Sequence, residues 1–347
     1  ARVAHLAQIV GADGGVIDHA MLLRFSGPAS YTGEDVVELH CHGGILVTQR
    51  VLERLLSAGA RAALPGEFTQ RAFLNGKMDL TQAEAVMDLI HAQSTLAMRA
   101  ANEQLEGSIG REALLMRTEL IEVLAHIEAY IDFPEEDISP DVGTAMVARV
   151  DAVQQRTQQM LATAEHGRIL RHGARTVICG EPNVGKSSLL NVLLGFERAI
   201  VSSTAGTTRD TIEEMLQVHG IPLRLVDTAG LRDSVDEIEQ HGISRTGREI
   251  ERADLMIEVV DASRPAQEIQ RVVSDLEPGR RVLVLNKADL GVHPSWTDGI
   301  RVSCVSNDGI EELRAAIRDI VLQQSGRMAM DHPVAINARH KSCFERC

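Results

Sequence analysis

Gly180-Glu181-Pro182-Asn183-Val184-Gly185-Lys186-Ser187 reads G-x-x-x-x-G-K-S. An apolar run, Thr176-Val177-Ile178-Cys179, precedes it, and a helix-like run, Ser188-Leu189-Leu190-Asn191-Val192-Leu193-Leu194, follows. Strand, glycine-rich loop and helix in that order make a phosphate cradle. The glycines let backbone N–H groups converge on phosphate oxygens, and the helix N-terminus adds a partial positive charge. Lys186 is placed to reach the β- and γ-phosphates, and the Ser187 hydroxyl to meet Mg²⁺.

Further motifs stand at strand ends downstream. Asp227-Thr228-Ala229-Gly230 follows Leu223-Arg224-Leu225-Val226; an Asp there holds Mg²⁺, commonly through water, and the Gly approaches the γ-phosphate. Asn286-Lys287-Ala288-Asp289 follows Val282-Leu283-Val284-Leu285 and decides the base. A carboxylate accepts from guanine N1–H and the 2-amino group. Adenine has an acceptor at N1 and no such amino group, so the nucleotide is expected to be GTP or GDP. Gly206-Thr207-Thr208-Arg209-Asp210 lies where the first switch loop belongs, with Thr208 as a second hydroxyl for Mg²⁺. Ser303-Cys304-Val305 occupies the place of the last base-contacting loop, which more usually reads Ser-Ala-Lys.

Hydrolysis needs an oriented water and positive charge at the β–γ bridge. Leu231, just after D-T-A-G, stands where Ras-type enzymes keep a glutamine, and an apolar group cannot orient water. Candidates lie in the acidic segment Asp233, Asp236, Glu237 and Glu239. Asn183 offers an oxygen for a monovalent cation beside the phosphates. The chain contains four lysines, Lys77, Lys186, Lys287 and Lys341, and the other 31 of its 35 basic residues are arginine. An ammonium and a guanidinium are not interchangeable, so the surviving lysines mark places that want a point charge. Lys77 is thereby singled out with Lys186 and Lys287.

A length of 347 residues suits two to three domains. Aromatics make up only 3%, so the core is aliphatic, and a net charge of −14 speaks against bulk adhesion to nucleic acid. No run approaches the roughly 18 apolar residues of a membrane span, and no signal peptide is visible. The five scattered cysteines, Cys41, Cys179, Cys304, Cys343 and Cys347, suit reduced thiols and a cytoplasmic protein.

Residues 1–78 read as α+β: a hairpin from His5–Val10 through Asp13-Gly14 to Val16–Asp18, continued by Met21–Phe25, then a strand over Asp35–His40 and a helix over Ile45–Ser57. Alternation would send His40 and His42 to one face with Cys41 opposite, which is too few ligands for a metal. Residues 79–168 read as helical, with helices over Gln82–Leu105, Leu114–Ile131 and Thr144–Glu165. The acidic Asp132-Phe133-Pro134-Glu135-Glu136-Asp137 reads as a solvated corner. Residues 169–325 alternate strand and helix as in a doubly wound α/β domain, with strands at 175–179, 213–218, 222–226, 255–260, 281–285 and 300–303. Residues 326–347 return toward the helical region.

The chain resembles the MnmE (TrmE) family of tRNA-modification GTPases. The resemblance rests on Tyr31-Thr32-Gly33-Glu34-Asp35, His42-Gly43-Gly44, Pro65-Gly66-Glu67-Phe68-Thr69, Arg71-Ala72-Phe73-Leu74-Asn75-Gly76-Lys77, Asp79-Leu80, Gln82-Ala83-Glu84 and the acidic segment from Asp132. These lie outside the nucleotide domain and separate this family from Era-like and Der-like relatives. The resemblance implies an N-terminal tetrahydrofolate-binding domain that also dimerises, and a helical bundle interrupted by an inserted Ras-like P-loop G domain. It implies a homodimer acting with an MnmG-like FAD protein, as a heterotetramer, on C5 of the wobble uridine of certain tRNAs. That chemistry adds a carboxymethylaminomethyl or aminomethyl group from a folate one-carbon unit, 5-formyl- or methylene-tetrahydrofolate. Contact with tRNA would run mainly through the partner. The resemblance further implies activation by K⁺, with Asn183, Ser202, Thr204 and Thr207 around that cation and Ser187 and Thr208 on Mg²⁺. Glu239 would position water, and Lys186 and Thr208 would share the catalytic work. Glu38 and Lys77 would contact folate. The rest of the nucleotide-contacting set is Val184, Gly185, Ser188, Ser203, Ala205, Gly206, Asp227, Thr228, Ala229, Gly230, Asn286, Lys287, Asp289, Ser303, Cys304 and Val305.

Two departures accompany the resemblance. The family's first several dozen residues, with a folate-contacting arginine, and its Cys-x-Gly-Lys ending have no counterpart here; Cys343-Phe344-Glu345-Arg346 is not that motif. The GTPase core is expected to be kept, and complete tRNA modification by this polypeptide is not. Two further readings stay open at the level of sequence. One is a non-catalytic guanine-nucleotide switch or ribosome-assembly-type GTPase. The other is a folate-binding or dimerising scaffold with an idle G domain.

Overall fold

The computed structural model describes residues 3–133, 141–196, 214–226, 252–269, 278–324 and 335–346. The chain divides into two units, Ala1–Met87 and Asp88–Cys347.

The first unit is a three-stranded antiparallel sheet, β1 (Ala4–Val10), β2 (Val16–Phe25) and β3 (Val36–His40), followed by α1 (Ile45–Ser57) and α2 (Glu67–Leu74). The β1–β2 turn is the expected Asp13-Gly14 turn: Gly11 N–H donates to Gly15 O at 2.8 Å, and the Asp13 carboxylate accepts from Gly15 N–H at 3.1 Å. Strand β3 stops at His40, so alternation does not extend to His42 as expected. His40 instead meets Glu38 at 2.9 Å, and the His42 ring and backbone N–H both meet the Asp18 carboxylate at 2.8 Å.

Helix α2 was not expected as an element, because its eight residues are too few to show a period. Motif residues in α2 and just after it bind segments distant in sequence. Tyr31 Oη lies 2.9 Å from Thr69 Oγ1, Asn75 Nδ2 donates to Thr32 O at 2.8 Å, and Lys77 Nζ donates to Pro28 O at 2.9 Å.

Helix α3 (Leu80–Ile90) runs across the division between the units. The expected single helix over Gln82–Leu105 is two, α3 and α4 (Thr95–Leu105). Ser94 caps α4 by accepting from Ala97 N–H at 3.1 Å, and a residue in extended conformation at the cap cannot also continue a helix. Likewise Thr144–Glu165 is two helices, α6 (Asp141–Ala162) and α7 (Ala164–His172), parted at Thr163. The long α5 (Ser108–Asp132) lies beside α6, with Arg156 donating to Glu119 at 3.1 Å. Ile109, Met116, Val153 and Met160 form a core there, joined by Ile336 and by Phe344 of the last described helix. Residues 134–137 of the acidic segment lie outside the described residues.

The larger sheet has the order β5-β6-β4-β7-β8-β9. Its strands are β4 (Ala174–Cys179), β5 (Glu214–Val218), β6 (Ile221–Leu225), β7 (Leu255–Asp261), β8 (Arg281–Asn286) and β9 (Ile300–Arg301), within a residue or two of their expected places. Only β5 is antiparallel to its neighbour. Parallel strands covered on both faces read as unbroken apolar runs, and every residue of β7 is buried. Helices α8 (Lys186–Phe196), α9 (Ile310–Gln324) and α10 (Ala338–Phe344) complete the described α-helices. Leu189, Leu193, Leu313 and Ile317 pack on the sheet. The chain leaves β4 toward β5 and β6 on one side and later fills β7 to β9 on the other. The loop after β4 therefore sits where strand order reverses, the place at which open α/β sheets bind ligands.

Candidate functional site

The loop after β4 is shaped by two glycines that no other residue could replace. A Cβ on Gly180 (φ 143°) would stand 2.1 Å from Val259 O, and one on Gly185 (φ 98°) would stand 2.2 Å from Asn286 Nδ2. Both distances are far inside van der Waals contact, so backbone and neighbouring strand approach only because the side chains are absent. Asn183 takes a left-handed conformation (φ 61°) and is exposed. Lys186 curls back over the loop, its Nζ donating to Gly180 O at 2.9 Å and Glu181 O at 2.8 Å. Burial lowers its pKa from the ordinary lysine range. Ser187 and Ser188 are exposed in the first turn of α8.

The loop after β8 docks directly on the first. Asn286 is 2% exposed and its Nδ2 donates to Val184 O at 2.8 Å. Its Oδ1 is buried with no hydrogen-bond partner among the described residues. Lys287 is also left-handed (φ 62°), and its Nζ meets Asp261 Oδ2 at 2.7 Å. Ala288 N–H donates to Val302 O at 3.1 Å, and Asp289 is exposed. Ser303 is buried; its N–H donates to Asp308 O at 3.0 Å and its Oγ accepts from Ser306 N–H at 3.2 Å. Cys304 stands close enough to Asp289 to feel its charge. Burial first, and that carboxylate second, push the thiol pKa upward. Val305 is 87% exposed.

The structure thus brings Asn183–Ser188, Asn286–Asp289 and Ser303–Cys304 to the side of the larger sheet where β4, β8 and β9 end. Ser202, Ser203, Thr204, Ala205, Gly206, Thr207, Thr208, Asp227, Thr228, Ala229, Gly230, Leu231 and Glu239 lie outside the described residues. In the first unit, Glu38 and Lys77 are exposed and turn to different partners, His40 and Pro28 O. Asp261 was missed by sequence reading. The strand it closes, Leu255-Met256-Ile257-Glu258-Val259-Val260-Asp261, carries a second carboxylate at Glu258, so no local pattern singled Asp261 out.

A glycine-shaped loop opening a helix, a lysine aimed along it and an N-K-x-D loop hydrogen-bonded to its back define a P-loop protein that binds and hydrolyses GTP. Two family models divide the chain: the GTP-binding protein TrmE N-terminus over residues 1–77 and the MnmE helical domain over residues 80–347. The tRNA modification GTPase MnmE of Akkermansia muciniphila is 54% identical over 100% of this chain and 77% of its own length. That of Geobacter sulfurreducens is 44% identical over 96% of this chain and 75% of its own length, and that of Aquifex aeolicus 41% over 99% and 78%. Among solved structures, the FeoB G domain of Methanococcus jannaschii covers 43% of this chain and 97% of its own at 26% identity, with a TM-score of 0.30. That last likeness is too loose to add weight. The chain belongs to the MnmE family of tRNA modification GTPases. It is therefore a GTP hydrolase serving tRNA modification, and the idle-scaffold and pure-switch readings fall away.

Proposed function

We propose that this chain is the K⁺-activated GTPase of a pair that modifies C5 of the wobble uridine, acting as a homodimer with an MnmG-like flavoprotein. The observation that carries the reading is Asn183, exposed and left-handed at the tip of the phosphate loop. A carboxamide oxygen there suits a large, weakly hydrated cation, while Leu231 removes the usual glutamine. A K⁺ held by Asn183, Ser202, Thr204 and Thr207 would supply positive charge beside the phosphates. Ser187 and Thr208 supply hydroxyl oxygens of the kind Mg²⁺ prefers. The glycine cradle leaves the space a phosphate needs, and Lys186 bridges to it. Glu239 orients the attacking water, and Asp227–Gly230 senses the γ-phosphate.

The same reading assigns residues 1–78 to folate binding and dimerisation, 79–168 and 326–347 to the helical domain, and 169–325 to the G domain. Glu38 and Lys77 place an exposed carboxylate and ammonium on the first unit, groups that suit an amino-pterin ring and a glutamate tail. The net charge of −14 favours tRNA held mainly by the partner. Free thiols at Cys41, Cys179 and Cys304 suit the cytoplasm. No helix among the described residues is long and apolar enough to cross a membrane.

The test is GTP turnover in KCl against NaCl at matched ionic strength, with and without the flavoprotein. Turnover is expected to rise about tenfold or more in KCl, the scale of one added charge-stabilising contact. Equal rates in the two salts would remove the Asn183 cation site. Glu239→Ala is expected to lower kcat about 100-fold at nearly unchanged GTP affinity, read from single-turnover rates and equilibrium binding. Unchanged turnover would move the water-positioning role to another residue of the acidic segment.

A further inference from the structure

Strand β7 ends at Asp261, which lies opposite Asn286 in the β7–β8 register. Ala262 N–H donates to Asn286 O at 2.8 Å, so the two strand ends close together. Asp261 is 8% exposed. Its Oδ1 accepts from Ser263 N–H at 3.0 Å and Ser263 Oγ at 2.6 Å. That leaves Oδ2 for the Lys287 ammonium at 2.7 Å. Burial alone would raise the Asp261 pKa; the hydrogen bonds from Lys287 and Ser263 outweigh it and hold the carboxyl below the usual range.

The N-K-x-D loop is consequently fixed at three successive residues by three different elements. Asn286 is held by the phosphate loop, Lys287 by the end of β7, and Ala288 by Val302 next to β9. Asp289, the residue that would read guanine, is exposed and follows directly. A left-handed non-glycine residue persists only where its surroundings over-determine it. At Lys287 the side-chain restraint among these is the ion pair to Asp261.

We propose that Asp261 is the positioning residue of base recognition: it holds Lys287, which sets the loop from which Asp289 meets the guanine edge. The proposal rests on the reading of Asn286–Asp289 as the base-recognising loop. Asp261 touches no nucleotide; it acts through Lys287. Its removal should shorten nucleotide residence while sparing the phosphate machinery, which hangs on β4 and α8. A residue that merely closed β7 would do neither selectively.

The test uses the full chain with Asp261→Asn, Asp261→Glu and Asp289→Asn. Asparagine keeps an acceptor for Ser263 and removes the charge facing Lys287. The GDP dissociation rate, from a fluorescent GDP analogue in stopped flow, and the KM for GTP are each expected to rise about tenfold with Asp261→Asn, the size of one lost charge-assisted hydrogen bond. Turnover at saturating GTP should stay within about twofold, because no phosphate contact changes. Asp261→Glu, which restores the charge, should recover most of the residence time. Unchanged dissociation and KM in Asp261→Asn would overturn the proposal, whatever happens to melting temperature. So would a parallel fall in kcat and melting temperature with KM unmoved. If Asp289→Asn leaves GTP binding intact, the base-recognition reading itself has failed and takes the proposal with it. If Asp289→Asn abolishes GTP preference while Asp261→Asn does nothing, only the role of Asp261 is lost.

Discussion

Asp289→Asn is expected to exchange the nucleotide this protein uses, with GTP turnover falling by about 10³-fold or more and xanthosine triphosphate becoming the better substrate. The carboxylate offers two acceptors to two guanine donors. An asparagine offers one acceptor and one donor, and its N–H₂ would face the guanine 2-amino group with two donors opposed. Xanthine carries a carbonyl at that position, so acceptor and donor match again. The loss is large because the loop is rigid. Asn286 is clamped to Val184 O at 2.8 Å, and Lys287 to Asp261 at 2.7 Å, so position 289 cannot drift to relieve the mismatch. A rigid site that leaves a polar pair unmade loses far more than a soft one. Steady-state kinetics with the two triphosphates measure the ratio. A variant that still prefers GTP would show that the loop reads some other group.

Lys186→Ala is expected to lower turnover at saturating GTP by about 100-fold or more and to weaken GTP binding in the same variant. The ammonium ends between Gly180 O and Glu181 O, at 2.9 and 2.8 Å, so it already lies along the loop. It needs little reorganisation to meet a phosphate, and preorganised charge is where catalysis gains most. Burial disfavours the charged form and lowers its pKa, so the chain holds a less hydrated ammonium there than on its surface. Arginine should rescue poorly. Its planar fork does not match the point-charge position that the ammonium takes between Gly180 O and Glu181 O. Global stability should barely change, because the helix is anchored by fully buried Leu189 and by Leu190 and Leu193 rather than by Lys186. Single-turnover hydrolysis, equilibrium GDP binding and thermal melting separate these effects. Undiminished turnover in Lys186→Ala would remove the loop from the reaction.

The central strands of the larger sheet were legible because they are largely buried, where a run such as Val282-Leu283-Val284-Leu285 admits few other environments. The phosphate-loop and N-K-x-D motifs were legible because each stands at the end of such a strand. The helical breaks were not. Gln82–Leu105 carries an uninterrupted apolar period, and only the Ser94 side chain accepting from Ala97 N–H divides it. Helix α2 was invisible because eight residues are too short for a period, although its Asn75 and Lys77 neighbours stood out as motif residues. Asp261 was invisible because its partner lies 26 residues away, and a pairing across parallel strands leaves no local pattern.

By itself, the order of residues pointed to the chemistry: a loop emptied of side chains, a lysine where the chain otherwise writes arginine, and a carboxylate expected to prefer guanine. Those are properties of residue type and spacing. Tertiary structure alone decided how the pieces hold one another. It set Asn286 against the back of the phosphate loop and gave Lys287 to Asp261. It also turned the ammonium of Lys77 onto Pro28 O. The physical reason is the range of the interactions. Backbone shape and helix period are fixed by neighbours in sequence. A buried hydrogen bond or ion pair is fixed only where two strands, distant along the chain, finally end side by side.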